Sequence, residues 1–168
     1  MTTHRDESIQ KLAGLIHDIE VAMVTTEDDQ GELRSRPMAT QKTQFDGTLW
    51  FFTYDSSPKV AELRSHEKVN VSYSDPRGQR YVSVSGIARI TRDPDRVRKL
   101  WSPALKAWFP QGKDDPAISL IEVEVQKAEF WEATSGRMVQ LAGFVQAVVT
   151  GKRADNLAGR NEKLDLTG

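Results

Sequence analysis

Residues 34–59, RSRPMATQKTQFDGTLWFFTYDSSPK, contain the strand and turn signals on which the predicted fold depends. Arg36 and Met38 alternate along a first extended arm, and the dipeptide Asp46-Gly47 is typical of a tight turn. The aromatic run LWFFTY after this turn predicts a second arm. We therefore expect a β-hairpin whose two arms face each other.

A helix is predicted directly after the second arm, where Ser57, Pro58 and Lys59 follow one another. Proline suits the first helical position because its missing N–H group is not needed there, and the preceding serine can cap the helix. Free N–H groups at a helix N-terminus favour an anion. With Arg36 and Thr53 at the same edge, these side chains would offer a guanidinium, two hydroxyls and an ammonium to one phosphate. The alternative is an ordinary capped helix with surface charges.

Length and charge favour one domain that has no electrostatic attraction to polyanions. The chain has 168 residues, which suits one domain. We predict a domain over residues 1–150 and a polar tail over residues 151–168, which docks through Leu164 and Leu166. The formal net charge of −1 gives no field that would attract nucleic acid or an anionic membrane. Neither a signal peptide nor a membrane-spanning apolar run is apparent, so the cytoplasm is the expected location.

Several chemistries are disfavoured by the residues that the sequence lacks. It contains no cysteine, which excludes disulfides, thiolate catalysis and cysteine zinc sites. His4, His17 and His66 match no metal-ligand spacing, so no metal is predicted, and the motifs of serine hydrolases, P-loop proteins and Rossmann proteins are absent. Glu122 and Glu124 would share one strand face. Paired carboxylates can perform acid–base chemistry, but we expect these two to be solvated on a barrel exterior.

The remaining elements indicate a mainly β (α+β) fold. Period-two and helical patterns predict a helix at 6–19, strands at 21–26, 69–74, 81–90 and 118–125, and a helix after residue 93 interrupted by Pro103. Residues 138–149 favour a helix, with a further strand as the alternative. Residues 128–133 would form another strand or a bend of the previous one. Short antiparallel strands with few helices favour a barrel or sandwich of about six strands. Each of the four tryptophans is more readily explained as a core residue than as a ligand contact.

The order of these segments resembles a known family. AMVTT, RSRPM, LWFFT, SSPK, VNVSYSD, VSVSGIARI and EFW are similar to the split-barrel flavoproteins related to pyridoxamine 5′-phosphate oxidase. WSPALKAWFPQG, IEVEVQKAEFWE and NEKLDL resemble its general stress protein branch. The resemblance extends from about Glu20 to Leu166. It implies a six-stranded antiparallel Greek-key split barrel with peripheral helices, paired as a homodimer with a flavin at the interface, usually FMN and alternatively FAD.

The resemblance also implies which residues hold the cofactor. The family's contacts to the phosphate and ribityl chain fall on Arg36, Thr53, Ser57 and Lys59. Three strand residues would lie beneath or beside the isoalloxazine ring: Met38, Trp50 and Phe52.

Three further residues would approach the flavin from the partner subunit. Trp131 matches an aromatic residue that lies close to the ring. Arg80 and Tyr81 fall where the strand of the partner subunit approaches. A complete site would therefore need two copies of the chain.

Two departures from the oxidases bear on activity. The oxidases have Arg-Lys where this chain has Pro58-Lys59, which removes one phosphate-binding charge. Their late Arg-Leu-His run, which holds the pyridoxal substrate, is replaced by residues 137–139, Arg-Met-Val, which lack the histidine. This argues against pyridoxamine phosphate oxidation. The predicted function is a flavin-dependent oxidoreductase acting by two-electron transfer. The alternatives are a non-catalytic flavin carrier or stress-linked binding module and, less favoured, a site for another planar cofactor such as a deazaflavin or haem.

Overall fold

The computed structural model describes residues 3–133, 148 and 159–167. Helices in these residues are α1 (His4–Ile16), α2 (Pro58–Ser65), α3 (Pro94–Leu100) and a 3-10 helix (Pro103–Ala107). The strands are β1 (Val21–Glu27), β2 (Leu33–Ala39), β3 (Thr48–Tyr54), β4 (Lys68–Asp75), β5 (Arg80–Thr91), β6 (Ile118–Glu132) and β7 (Arg160–Asp165).

All of these strands belong to one antiparallel sheet. Its order is β2-β1-β4-β5-β6-β3, and β7 pairs with the far end of β6. The curled sheet brings its two ends, β2 and β3, close together, although no ladder joins them in the described part of the chain. We call the gap between β2 and β3 the split. The predicted class, a mainly β antiparallel split barrel with peripheral helices, is confirmed.

The predicted pairing within residues 34–59 is wrong. β2 forms its hairpin with β1, in a register that runs from Val21 opposite Ala39 to Glu27 opposite Leu33. β3 instead pairs with β6, where Trp50 lies opposite Glu122. The two arms of the predicted hairpin are therefore the two separate edges of the sheet.

Local turn chemistry explains where the hairpin forms. Between β1 and β2, the Asp28 carboxylate accepts hydrogen bonds from the main-chain N–H groups of Gln30 and Glu32, at 2.9 and 3.0 Å. Gly31 has a φ of 79°, which glycine adopts readily. This loop makes a tight hairpin connection, whereas the connection from β2 to β3 is longer and lets β3 cross to another strand.

The Asp46-Gly47 signal does mark a turn, but the turn leads to a different partner. Gly47 has a φ of 111°, and the Asp46 carboxylate accepts a hydrogen bond from the Thr48 N–H group at 3.1 Å. The carbonyl of Gly47 accepts a 3.0 Å hydrogen bond from the Val125 N–H group of β6. The turn therefore delivers β3 to β6.

The strand count is seven in the described residues, one more than predicted. β7 lies within the predicted polar tail and pairs with β6 from Lys127 opposite Asp165 to Glu132 opposite Arg160. Leu164 is buried in the barrel core while its neighbours along the strand face solvent. One apolar residue in a polar segment is a weak strand signal, so the pairing depends on the partner strand that the rest of the fold supplies.

The helices cover the barrel. α1 begins with a capping box in which Thr3 and Asp6 hydrogen-bond to each other's main-chain N–H groups. Asp93 caps α3, and Pro103 starts a separate 3-10 helix, which confirms the predicted interruption. None of the helices in the described residues has the length and apolarity needed to cross a membrane. Apart from Val148, the helix predicted over residues 138–149 lies outside the described residues.

A second apolar cluster lies outside the barrel, under α3 and the 3-10 helix. Its buried members are Phe52, Val97, Leu100, Leu105, Phe109, Ile118 and Leu120. Side chains alternate across a strand, so β3 contributes to this cluster from one face and to the barrel core from the other. The cluster therefore holds the 3-10 helix and the residues after it against the outer face of β3.

Candidate functional site

A cavity of about 270 Å³ lies in the split, between the edges of β2 and β3 that no other strand of the described residues pairs with; we call these the free edges. An edge strand presents N–H and C=O groups that no neighbouring strand uses, so the split can offer main-chain hydrogen bonds to a ligand. The start of α2 and the end of the 3-10 helix complete the walls. The lining residues are Pro37, Met38, Ala39, Phe52, Thr53, Tyr54, Ser57, Lys59, Leu105, Trp108 and Phe109.

Ser57 and Lys59 form the polar end of this cavity. Ser57 occupies the N-cap position of α2 and Pro58 the first helical position, as predicted. The Ser57 side chain makes no capping hydrogen bond; its Oγ instead accepts a 2.6 Å hydrogen bond from Lys59 Nζ. The hydroxyl and the ammonium are therefore held together at one place on the wall.

The electrostatics of this polar end suit an anion. Partial burial lowers the pKa of Lys59, and the positive charge of Arg36 lowers it further, while the Glu62 carboxylate acts in the opposite direction. An ammonium with a lowered pKa is incompletely solvated and gains from a negatively charged ligand. A phosphate group would supply that charge.

Arg36 lies near this end of the cavity, although it is not among the lining residues. Its guanidinium donates to Thr26 Oγ1 and, at 2.9 Å, to Glu62 Oε2. Its effect on Lys59 shows that the two cations are close enough to interact. The sequence predicted that Arg36 and Lys59 would be close because β2 and β3 were expected to pair as a hairpin, and these strands do not pair. Their proximity arises instead because β2 and α2 both lie at the split.

The rest of the cavity lining is mainly apolar and aromatic. The Phe52 ring packs edge-on against Trp101, with ring centroids 5.9 Å apart, and the rings of Tyr54 and Phe109 lie 4.9 Å apart. Trp108, at the rim, is 70% exposed. A planar aromatic ligand would find both a packed wall and a free tryptophan surface here.

The structure places Met38, Phe52, Thr53, Ser57 and Lys59 together in one cavity. Both faces of β3 contribute, since Thr53 belongs to the face opposite to Phe52. The cavity therefore contains three of the predicted phosphate and ribityl contacts, Thr53, Ser57 and Lys59, together with two of the predicted ring contacts, Met38 and Phe52. Their role in binding a cofactor stays a prediction.

Trp50 lies away from the cavity lining. It belongs to the half of β3 covered by α3, where the Arg96 guanidinium lies 4.7 Å from the centroid of its ring. The tryptophan is therefore packed against the second cluster rather than exposed to the split.

Arg80, Tyr81 and Trp131 also lie outside the cavity of their own chain. Tyr81 and Trp131 are opposite each other on β5 and β6 and are 45% and 43% exposed. Arg80 donates to the carboxylates of Asp18 and Asp75, at 2.7 and 3.2 Å. Tyr81 and Trp131 therefore form a separate exposed aromatic pair, whereas Arg80, the adjacent residue along β5, is directed to the other face of the sheet.

Sequence reasoning missed residues on two walls. Pro37 and Ala39 flank Met38 on the free edge of β2. Neither has a polar or aromatic side chain that would have indicated a ligand contact. Trp108 and Phe109 belong to the WSPALKAWFPQG segment, whose aromatic residues were the available signal. Glu62 could not be identified from the sequence because its hydrogen-bond partners, Thr26 and Arg36, are distant from it in sequence.

Metal chemistry finds no support in the described residues. No group of three or more histidine, cysteine, aspartate or glutamate side chains there is arranged to hold a metal ion. Arg137 and its neighbours, which replace the late Arg-Leu-His run, lie outside the described residues.

Known proteins with similar sequences and structures place the chain in a family. Protein bli-3 of Neurospora crassa is 35% identical over 159 residues, which cover 89% of this chain and 76% of that protein. General stress protein 26 of Bacillus subtilis is 28% identical over 113 residues, covering 64% of this chain and 80% of that protein. The crystal structure of the general stress FMN/FAD binding protein from Xanthomonas citri matches with a TM-score of 0.66 at 27% identity, covering 77% of this chain and 92% of that chain.

The general stress protein resemblance read from the sequence is confirmed by these relatives. The family model for proteins like pyridoxamine 5′-phosphate oxidase matches residues 7–155, which is most of the chain. The chain belongs to the pyridoxamine 5′-phosphate oxidase-like family.

Proposed function

We propose that this protein binds a flavin, FMN or alternatively FAD, in the split. The observation that carries the proposal is the cavity itself, which combines an ammonium and hydroxyl groups with aromatic side chains between two free strand edges. The family supports the proposal, and so does the similarity to the Xanthomonas citri protein, which is a general stress FMN/FAD binding protein.

The residues present fit the parts of a flavin mononucleotide. Lys59, Ser57 and Arg36 would hold the phosphate, because ammonium, guanidinium and hydroxyl groups are its usual donors. Met38 and Phe52 would contact the apolar ring. The free edges of β2 and β3 would supply main-chain hydrogen bonds to polar atoms at the edge of the ring.

The residues predicted to approach the flavin from a partner subunit favour a site completed by a second copy of the chain. Arg80, Tyr81 and Trp131 lie outside the cavity of their own chain. The outer sheet face bears exposed apolar residues, including Met23 at 40% exposure, which stands in a cross-strand row with Ser72 and Ser83. We propose that this face forms a homodimer interface that brings Trp131 of the partner subunit towards the flavin, as the family resemblance implies.

A bound flavin supplies two-electron transfer at its N5 atom. The protein's own residues would bind the phosphate, orient the ring against the strand edges and exclude water through the aromatic wall. No carboxylate or imidazole lines the described cavity, so the arrangement provides no paired acid and base of its own. We propose a flavin-dependent oxidoreductase whose electron donor is a small molecule.

The same lack of acid–base groups favours a second candidate, a flavin carrier or stress-linked binding module without turnover. Such a protein needs the phosphate contacts and the aromatic wall but no access for an electron donor. The two candidates share the site and differ in whether the bound flavin can be reduced by a nicotinamide.

Two measurements on the purified full chain test these functions. A yellow protein, or a colourless one that takes up added FMN or FAD, is expected; failure to bind either flavin contradicts both candidates. Anaerobic addition of NADH or NADPH then separates them. Bleaching of the flavin band, with reoxidation by an added acceptor, supports the oxidoreductase. A flavin that dithionite reduces but neither nicotinamide does supports the carrier.

A further inference from the structure

Glu62 is a buried carboxylate that lies under the proposed phosphate site. It belongs to α2, one helical turn after Lys59, so both side chains lie on the same face of the helix. Only 10% of its side chain is exposed. A buried carboxylate is costly unless it is paired and hydrogen-bonded, so its partners indicate why it is there.

The partners of Glu62 form a closed set of three groups. Arg36 Nη2 donates to Glu62 Oε2 at 2.9 Å, and the Thr26 hydroxyl donates to the same oxygen. Arg36 Nη1 in turn donates to Thr26 Oγ1. Thr26 is itself only 1% exposed, so this set is built into the protein interior rather than formed on its surface.

These bonds determine where the Arg36 guanidinium lies. An arginine side chain has several rotatable bonds and loses substantial entropy when it is ordered. Two of its N–H groups are used by Thr26 and Glu62, and the planar guanidinium has others that point elsewhere. Because the position is held before any ligand arrives, the entropic cost of ordering the side chain does not fall on ligand binding.

We propose that Glu62 positions Arg36 for the phosphate group of the ligand, directly and through the Thr26 hydroxyl. The proposal rests on the proposed flavin site and adds a residue that does not itself touch the cofactor. The essential feature of Glu62 is an acceptor oxygen at the right place. Its negative charge opposes an anionic ligand and is not needed for that role.

The test measures how much the phosphate contributes to binding. We define the phosphate ratio as the Kd for riboflavin divided by the Kd for FMN, since riboflavin lacks only the phosphate. Both constants are obtained by titrating the flavin-free full chain and following flavin fluorescence. The ratio cancels general damage to the ring site, which would weaken both ligands equally.

Three variants separate positioning from charge. Glu62→Ala removes the acceptor and is expected to lower the phosphate ratio roughly 3- to 10-fold, the loss typical of one hydrogen bond, with the riboflavin Kd unchanged. Glu62→Gln retains an acceptor oxygen and is expected to keep the ratio or raise it. Thr26→Val, which keeps the side-chain shape, is expected to lower it by a smaller factor and serves as a second test if Glu62→Ala does not fold.

Glu20→Gln is the matched charge control. Glu20 is 78% exposed and precedes β1, whereas Thr26 lies near the other end of that strand. At about 3.3 Å per residue the two positions are roughly 20 Å apart, so the control should leave the ratio unchanged.

A double-mutant cycle shows whether Glu62 acts through Arg36. Arg36→Met should lower the phosphate ratio by itself, and adding Glu62→Ala should produce little further loss. If the two substitutions lowered the phosphate ratio by independent factors that multiply in the double variant, the proposal would be overturned. An unchanged phosphate ratio in Glu62→Ala would also overturn it, as would a loss in Glu62→Gln as large as that in Glu62→Ala. A wild-type chain that binds both flavins equally would overturn the phosphate anchor and this inference while leaving flavin binding intact. A chain that binds neither flavin would overturn the proposed function as well.

Discussion

Lys59 Nζ donates a 2.6 Å hydrogen bond to Ser57 Oγ across the first turn of α2. This contact takes the serine hydroxyl away from its usual capping role and places it beside a cation at the wall of the split. Pro58, between the two residues, starts the helix without needing a hydrogen-bond partner for its nitrogen. The local sequence Ser-Pro-Lys thus produces a polar site and a helix start from the same three residues.

Loss of the ammonium should weaken flavin binding specifically through the phosphate. We expect Lys59→Ala to reduce FMN affinity by about 1–3 kcal/mol, the scale of a charge-assisted hydrogen bond, and to change riboflavin affinity little. Titration of both flavins measures this difference. Lys68→Ala, at an exposed position at the start of β4, is the matched control. Equal FMN affinity in wild type and Lys59→Ala would show that Lys59 is an ordinary surface residue.

The lowered pKa of Lys59 predicts a pH dependence with a definite sign. Burial and Arg36 disfavour the protonated amine, so the folded protein releases this proton at a lower pH than the unfolded chain, whose reference pKa is 10.5. FMN affinity should therefore fall as pH rises through the lowered pKa, while the free energy of unfolding of the flavin-free protein should rise over the same interval up to 10.5. Lys59→Arg stays charged and should lose this dependence. A riboflavin affinity with the same pH profile as that of FMN would contradict the assignment.

Trp108 should affect binding without affecting folding. Its side chain is 70% exposed at the rim of the cavity, so Trp108→Ala is expected to leave Tm nearly unchanged and to reduce flavin affinity by about 0.5–1.5 kcal/mol through a lost aromatic contact. Trp108→Phe should retain most of the affinity. Trp101→Ala is the contrasting variant, because Trp101 packs on Phe52 and its loss should lower Tm. Thermal melts and flavin titrations separate the two effects, and unchanged affinity in Trp108→Ala would place the ligand away from the rim.

A charge on the outer sheet face should dissociate the proposed homodimer. Met23 is 40% exposed and stands opposite Ser72, so Met23→Glu would place a carboxylate within the proposed interface, where dimerisation would bury it. We expect a shift from dimer to monomer by light scattering, together with weaker flavin binding. His17→Glu adds the same charge at an exposed position after α1 and should do neither. A monomeric wild-type protein with full flavin affinity would rule out a shared site.

Leu164 should stabilise the protein through β7. Its side chain is 5% exposed within the barrel core, so Leu164→Ala is expected to reduce the free energy of unfolding by about 2–5 kcal/mol. Lys163→Ala, at the exposed neighbouring position, should change it by less than about 0.5 kcal/mol. Denaturant unfolding compares the two, and equal effects would mean that β7 contributes little to the core.

Much of the fold could be read from the sequence because single-strand patterns are local. β1, β4 and β5 show alternating burial where their residues alternate in polarity. Strand pairing is not local. The Asp46-Gly47 signal was correctly interpreted as a turn but assigned to the wrong pair of strands, because the loop at residues 28–32 provides a competing hairpin turn.

The candidate site could likewise be predicted where its residues are close in sequence and not where they are distant. Ser57 and Lys59 could be predicted together because the helix start that links them is encoded in three consecutive residues. Trp50 was predicted beside the ligand, and the structure shows it outside the cavity lining, with the Arg96 guanidinium of α3 packed against its ring. Glu62 could not be connected to Arg36, which is 26 positions away, until the fold brought α2 beside β2.

The two free strand edges at the split have a consequence for how the protein behaves when it lacks its ligand. Unpaired strand edges invite association with other chains, and natural proteins usually cover or interrupt them. Among the described residues, the segment around the 3-10 helix covers part of these edges, and a ligand in the cavity would cover more. If the proposed flavin fills the split, its supply would also protect the protein from self-association, and the flavin-free chain is expected to aggregate more readily than the flavin-bound one.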